Sequence, residues 1–205
     1  MQSAFSFIVK PVGNRYDNTV KVGDKNLIVN TSIESFKAVN NIAEVLAVPL
    51  FGTTDIKVGD KVIIHHNVFR RFYDMKGKSK NSRSYFNEDR YFVDIDQIYL
   101  YGDTGKWKAF GDRCFVQPIK NNNSFSLEKE QRLIGILKYG NNSLNEAKIV
   151  PGDLVGYKPY GEFEFIIEGK RLYCMKSNDI VIKYEYRGDE TEYNPSWAQS
   201  GIGVN

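Results

Sequence analysis

Four short motifs occur in the same order in each half of the chain, so a fold that suits one half must suit the other. Phe7-Ile8-Val9-Lys10-Pro11 matches Cys114-Phe115-Val116-Gln117-Pro118, and Glu44-Val45-Leu46 matches Gly135-Ile136-Leu137. Val58-Gly59-Asp60-Lys61-Val62 matches Pro151-Gly152-Asp153-Leu154-Val155, and Asp96-Gln97-Ile98 matches Asn178-Asp179-Ile180. Apolar triplets and Gly-Asp turns are common singly, but four pairs in one order are hard to obtain by chance. They predict two copies of one domain, over 1–101 and 112–186, joined by a linker at 102–111 and followed by a polar tail at 187–205. The chain's 205 residues suffice for two domains of about 100 residues each.

The motifs sit in strand-like surroundings. Phe5 to Val9, Ala43 to Val48, Lys61 to Ile64, Tyr91 to Ile95 and Ile98 to Tyr101 are short runs rich in Val, Ile, Phe and Tyr, most of them bounded by turn residues. The same grammar returns at Leu133 to Leu137, Leu154 to Tyr157, Glu162 to Ile167, Arg171 to Met175 and Ile180 to Tyr184. No window of helical length carries a 3.6-residue apolar stripe; residues 126–134 come nearest, as one helical turn or a loop leading into a strand. The expected class is all-β, with closed or nearly closed barrels protecting the edges of many short strands.

Catalytic and metal chemistry find no foothold. His65 and His66 are the two histidines, and as strand neighbours they would face opposite ways. Cys114 and Cys174 lie in apolar runs without metal-ligand spacing and read as buried free thiols in a reducing compartment. Gly102-Asp-Thr-Gly-Lys-Trp lacks the spacing of a phosphate loop. No nucleophile motif or paired acid is present, so neither an enzyme nor a cofactor or metal is expected. No apolar run approaches the ~18 residues of a membrane span, and the N-terminus lacks the marks of a secretory signal. The expected location is cytoplasmic.

Taken together, the motifs resemble the GroES (chaperonin-10) co-chaperonin family. That family shows an opening strand ending in V-x-P, a long loop, a strand of the form G-x-V-L-A-V-G, a V-K-x-G-D-x-V turn and strand, and a closing D-I-L strand. Here they correspond to Asp112-Arg113-Cys114-Phe115-Val116-Gln117-Pro118, Glu44-Val45-Leu46-Ala47-Val48, Ile56-Lys57-Val58-Gly59-Asp60-Lys61-Val62 and Asn178-Asp179-Ile180-Val181. The resemblance implies two tandem GroES-like β-barrels in a non-enzymatic, homo-oligomeric ring, a heptamer by analogy. It implies a chaperonin-60 (GroEL-like) ring as partner, capped to enclose folding clients.

The halves differ in two places. Pro11 to Glu44 spans 33 positions against 17 from Pro118 to Gly135, and the surplus falls within residues 12–41. In the family this place is the mobile loop, whose aliphatic tripeptide docks on the chaperonin; Leu27, Ile28 and Val29 match that tripeptide. The plain alternative is a strand of the barrel. Docking is preferred, because the second half manages without an equivalent.

Gly59 to Ile98 spans 39 positions against 28 from Gly152 to Ile180. The surplus lies within residues 69–90 and includes Arg70, Arg71, Phe72, Tyr73, Lys76 and Lys78. The resemblance makes this an enlarged roof hairpin, with Glu162 to Lys170 in the same place in the second half. A larger roof is similar to that of virus-encoded co-chaperonins, which would place the protein in a host cytoplasm.

Two other classes compete. One is an OB-like single-stranded nucleic-acid binder, since Arg70, Arg71, Lys76, Lys78, Lys80, Arg83 and Arg90 interleave with Phe69, Phe72, Tyr73, Tyr85 and Phe86. A net charge of only +3 favours a solvated hairpin over nucleic acid as partner. The other is a structural virion β-barrel, indifferent to any chaperonin.

Overall fold

The computed structural model describes residues 2–16, 19–22, 24–28, 39–122, 127–185 and 188–199. Strands hold 46% of the described residues and helix 8%, which makes the protein all-β. Among the described residues no helix is long and apolar enough to cross a membrane. Two compact units divide the chain, Met1–Asp103 and Thr104–Asn205.

The first unit contains β1 (Phe7–Pro11), β2 (Thr19–Val22), β3 (Lys25–Ile28), β4 (Ile42–Ala47), β5 (Lys61–Ile64), β6 (Arg71–Tyr73), β7 (Ser79–Asn81), β8 (Tyr85–Asn87), β9 (Arg90–Val93) and β10 (Ile98–Gly102). Its main sheet pairs antiparallel in the order β10-β5-β4-β1-β9-β8. Alternation along β4 buries Ala43, Val45 and Ala47 and leaves the intervening residues half-buried. Phe7, Val9, Val62, Ile64, Phe69, Tyr91 and Leu100 complete the core, with the Phe69 and Tyr91 rings edge to face at 4.7 Å.

The second unit contains β11 (Lys108–Ala109), β12 (Arg113–Lys120), β13 (Glu130–Tyr139), the short helix α1 (Asn142–Glu146), β14 (Leu154–Tyr157), β15 (Phe163–Ile167), β16 (Lys170–Lys176), β17 (Ile180–Lys183) and α2 (Ser196–Gln199). Its sheet runs β15-β16-β12-β13-β14-β17. Read from the other end, the first sheet has the same order, with β8, β9, β1, β4, β5 and β10 as the counterparts. No hydrogen-bonded pairing among the described residues joins β8 to β10 or β15 to β17. The strand order is therefore established, while barrel closure is not part of the pairing.

The duplication extends to individual bonds. Ile98, Leu100 and Tyr101 pair with Ile64, Ile63 and Val62; Ile180, Ile182 and Lys183 pair with Tyr157, Gly156 and Val155, with a bulge at the same step. In the two Gly-Asp turns, Gly59 and Gly152 have φ of 93° and 99°, a left-handed conformation that glycine alone adopts without strain. The Asp60 carboxylate accepts from the Lys57 amide at 2.8 Å and the Asp153 carboxylate from the Val150 amide at 2.7 Å. Each glycine amide donates back across the sheet, Gly59 to Val45 O and Gly152 to Leu137 O, both at 2.8 Å.

These bonds shift one of the motif matches by a residue. Pro11 faces Ala43 and Pro118 faces Gly135, so Val45 is the counterpart of Leu137, rather than Leu46. Both segments alternate apolar residues, so composition alone does not fix the register. Close approach of the backbones does. A Cβ on Gly135 would lie 2.5 Å from the Gln117 carbonyl oxygen and 2.5 Å from Val116 Cγ1.

Three further expectations change. Residues 104–111 of the supposed linker belong to the second unit, where the Gly105 amide and the Trp107 Nε1 both donate to Glu168 Oε1, at 2.7 and 2.9 Å. The polar tail is a working part of that unit. Lys120 N donates to Thr191 O at 2.8 Å, Tyr193 N to Pro118 O at 2.7 Å, and Asn194 Nδ2 to Gly169 O at 2.9 Å. Helix appears at 142–146, capped by the Asn141 side chain accepting from Leu144 N. Of the two alternatives for the 126–134 window, its described part, 127–134, follows the loop leading into a strand, β13, which starts at Glu130.

Candidate functional site

The surplus between β1 and β4 contains a hairpin with a sheet of its own. β2 and β3 pair antiparallel, Thr19 with Ile28 and Val20 with Leu27, and join no strand of the main sheet. Leu27 and Ile28 therefore lie on β3; Val29 lies outside the described residues. Among the described residues, Leu27 and Ile28 thus pair with β2 and not with a strand of the main sheet.

What fixes the root of this excursion is Asn40, only 6% exposed. Its Nδ2 donates to Val12 O at 2.7 Å and Asn14 O at 2.8 Å, while its Oδ1 accepts from Ile42 N at 2.8 Å. Backbone bonds Val12 N to Ile42 O and Asn40 N to Arg15 O close the stem, and Tyr16 bridges Val39 beyond it. Satisfying all these groups at one amide makes the exit and return of the chain a rigid pair of rails. Sequence reasoning passed over Asn40, since one asparagine ahead of a strand carries no distinctive signal.

The second surplus is also a separate hairpin. β6 and β7 pair Arg71 with Asn81, Phe72 with Lys80 and Tyr73 with Ser79, closed by a turn in which Asp74 Oδ1 accepts from the amides of Lys76 and Lys78, each at 2.9 Å. The hairpin β8–β9, turning at Glu88 and Asp89, takes the place in the sheet that β15–β16 takes in the second unit. The segment 70–83 is thus an added hairpin ahead of that element. It is not an enlarged counterpart of Glu162 to Lys170.

Arg15 holds the added hairpin in place. It reaches Phe69 O through Nε, Asn81 Oδ1 through Nη1 at 2.7 Å, and Arg70 O through Nη2 at 3.2 Å. The guanidinium lies 5.3 Å from the centroid of the Tyr91 ring. Burial raises the pKa of that phenol, with Arg15 opposing the shift, so Tyr91 stays neutral beneath the cation. Tyr173, the counterpart of Tyr91 by register, also carries an arginine, here Arg171 of its own strand at 4.9 Å. Arg171 is committed to structure through Glu164 at 2.6 Å and Glu130 at 2.5 Å.

Strand alternation sorts the hairpin residues. Arg70 and Phe72 turn to one side and line an open cavity of about 390 Å³, together with Ser82, Arg83 and Ser84 from the end of β7 onward. Asn67 and Gln97 form its remaining wall. Arg71, Tyr73, Lys76 and Lys78 do not line it; Tyr73 is 51% exposed and the two lysines sit at the turn. Arg83, counted at first only among scattered cations, is brought in beside Arg70 and Phe72.

The histidines differ from the sequence reading. β5 ends at Ile64, so the alternation rule does not govern His65 and His66, whose rings stack at 4.3 Å. Burial, then the neighbouring His65 and Arg70, lower the pKa of His66 to about 4. Cys114 and Cys174 are buried and unbridged, and burial pushes each thiol up to about 12, which keeps both protonated and unreactive.

With this geometry in hand, comparison with protein-family models and with curated proteins gives no match to the chain. The class defined by the fold is a duplicated all-β protein with two hairpins added to its first copy.

Proposed function

We propose that the protein is a co-chaperonin of the GroES type, which caps a chaperonin-60 ring and encloses folding clients. The observation that carries this reading is the β2–β3 hairpin, which leaves the first sheet between β1 and β4 and has no counterpart strands among the described residues of the second unit. Leu27 and Ile28 lie on it, at the place where the resembling family carries its docking tripeptide, and Val29 follows. The common strand order of the two sheets and their matching Gly-Asp turns support the reading further.

Burying one aliphatic side chain gains roughly 1.5–3 kcal/mol, whereas ordering one backbone residue costs about 1–2 kcal/mol. A single hairpin is therefore a weak ligand. Several on one ring bind strongly, because each later contact is effectively intramolecular. The proposal thus includes a homo-oligomeric ring, a heptamer by analogy with the family, acting in the cytoplasm of a cell or, for a virus-encoded form, of its host.

The test is co-sedimentation with a chaperonin-60 ring and ATP, comparing the native chain with the triple variant Leu27→Ser, Ile28→Ser, Val29→Ser. Native capture that is lost in the variant, with the circular dichroism of both unchanged, is the expected result. Capture retained by the variant, or a native chain that sediments alone as a monomer, would overturn the proposal.

A further inference from the structure

We infer that the cavity beside β6 is a nucleotide site, taking an aromatic base against Phe72 and its phosphate between Arg70 and Arg83. The inference does not rest on the co-chaperonin reading. Over residues 70–90 there are seven cations and three acids, a net +4, against +3 for the whole chain, so this segment carries all of the protein's positive excess. Two of those cations line the cavity, and neither has a carboxylate partner among the described residues. Arg70 Nε is enclosed and finds no acceptor among the described residues, so it is a desolvated donor that an anion would satisfy.

The remaining lining matches the other parts of a nucleotide. Phe72 is 43% exposed, and a large aromatic face left open beside cations is what an unpaired base stacks on. Ser84, Asn67 and Gln97 add polar groups at the cavity edge, able to meet base-edge donors and acceptors. Gln97 Oε1 already accepts from Asp94 N at 3.0 Å, so the group this amide would offer a base carbonyl is its Nε2 donor. An acidic polypeptide would use the arginines and leave Phe72 and the amides idle. Arg15 holds the carbonyls of Phe69 and Arg70 and the Asn81 side chain, so the base of the site is formed in advance.

The same chemistry is presented by a free mononucleotide and by a nucleotide within a single strand. Four ligands separate the cases by fluorescence anisotropy and calorimetry on the full chain: adenosine monophosphate, an octamer of deoxythymidylate, inorganic phosphate and polyglutamate. Binding of the mononucleotide or the octamer is expected, weakened about ten-fold by Phe72→Ala through lost stacking. Arg70→Gln with Arg83→Gln should abolish it, with circular dichroism unchanged. For an octamer engaging two phosphates, raising salt from 50 to 200 mM should weaken binding about seven-fold. The Leu27→Ser, Ile28→Ser, Val29→Ser variant should bind as the native chain does, which separates failure of this site from failure of chaperonin capture. Binding of polyglutamate or phosphate alone, equal binding by Phe72→Ala, or no binding at all would overturn the inference.

Discussion

Replacing Arg15 by methionine keeps an apolar stem of similar length and removes the guanidinium donors at the root of the β6–β7 hairpin. Three acceptors lose their partner: Phe69 O, Asn81 Oδ1 and Arg70 O, the last already long at 3.2 Å. Hydrogen bonds to a charged group contribute about 1.5–3 kcal/mol each, and the face of Tyr91 adds roughly 0.5–1 kcal/mol. Arg15 is only half-buried, so water re-satisfies part of what is lost, and about 3 kcal/mol is the net expectation. With a urea m-value of about 2 kcal/mol per molar, the midpoint of the first unit should fall by roughly 1.5 M.

Both tryptophans, Trp107 and Trp197, belong to the second unit, so the transition must be followed by far-ultraviolet circular dichroism, with amide exchange to localise it. Exchange should accelerate at Arg71, whose amide donates to the Tyr16 hydroxyl at 2.6 Å within the same joint. Arg15→Lys should recover less than half of the loss, since one ammonium cannot span three acceptors. A midpoint within the equivalent of about 0.5 kcal/mol of native, with exchange at Arg71 unchanged, would refute the assignment of Arg15 as the anchor.

Two other outcomes follow from the same geometry. Gly135→Ala should destabilise the second unit by about 3 kcal/mol, since a Cβ there meets backbone and strands β12 and β13 must part; tryptophan fluorescence in denaturant measures it. Its counterpart Ala43→Gly should cost the first unit only about 1–2 kcal/mol, through a lost methyl and added chain freedom. Equal costs at the two positions would contradict the register that pairs them. The second outcome concerns pH. His66 has its folded pKa lowered to about 4 from an ordinary value near 6.5, so between these values the unfolded chain binds more protons and stability rises with pH. Unfolding midpoints should therefore decline as pH falls from about 6.5 towards 4, and His66→Gln should flatten that decline. An imidazole resonance of His66 titrating near 6.5 by NMR would dispose of this expectation.

Much of the framework was readable because a few residues dictate backbone shape. The Gly-Asp pairs can only turn as they do, and the two Val-x-Pro segments mark β1 and β12, so the strand correspondence follows from the motifs. The register of β4 against β13 did not follow, because alternating apolar residues look alike when displaced by one. Gly135, set against the backbone of Gln117 and the side chain of Val116, settles it, and that approach is a fact of packing. The 70–83 segment read as an enlargement of a neighbouring hairpin because a run of Arg, Lys and Ser carries no apolar period to show where one hairpin ends. Asn40, Arg15 and Asn194 were invisible for a shared reason. Each acts through side-chain bonds to backbone groups distant in sequence, 54 positions away for Arg15 and Phe69, and no local pattern announces such bonds.

The stitching of the tail onto β12 sets an order of completion during synthesis. Gln117 Nε2 donates to Tyr193 O across 76 positions, beside the backbone bonds of Pro118 and Lys120 to the same segment. A chain emerging from the ribosome has every strand of the first unit in hand once residue 103 is clear. The second unit must wait for residues 191–194, and until they arrive the C-terminal end of β12, beyond the Arg113–Val116 stretch that pairs with β16, stands open on one side to any passing strand. The nascent protein is therefore half finished and half vulnerable, and a chaperone acting on it would find its target in the C-terminal half.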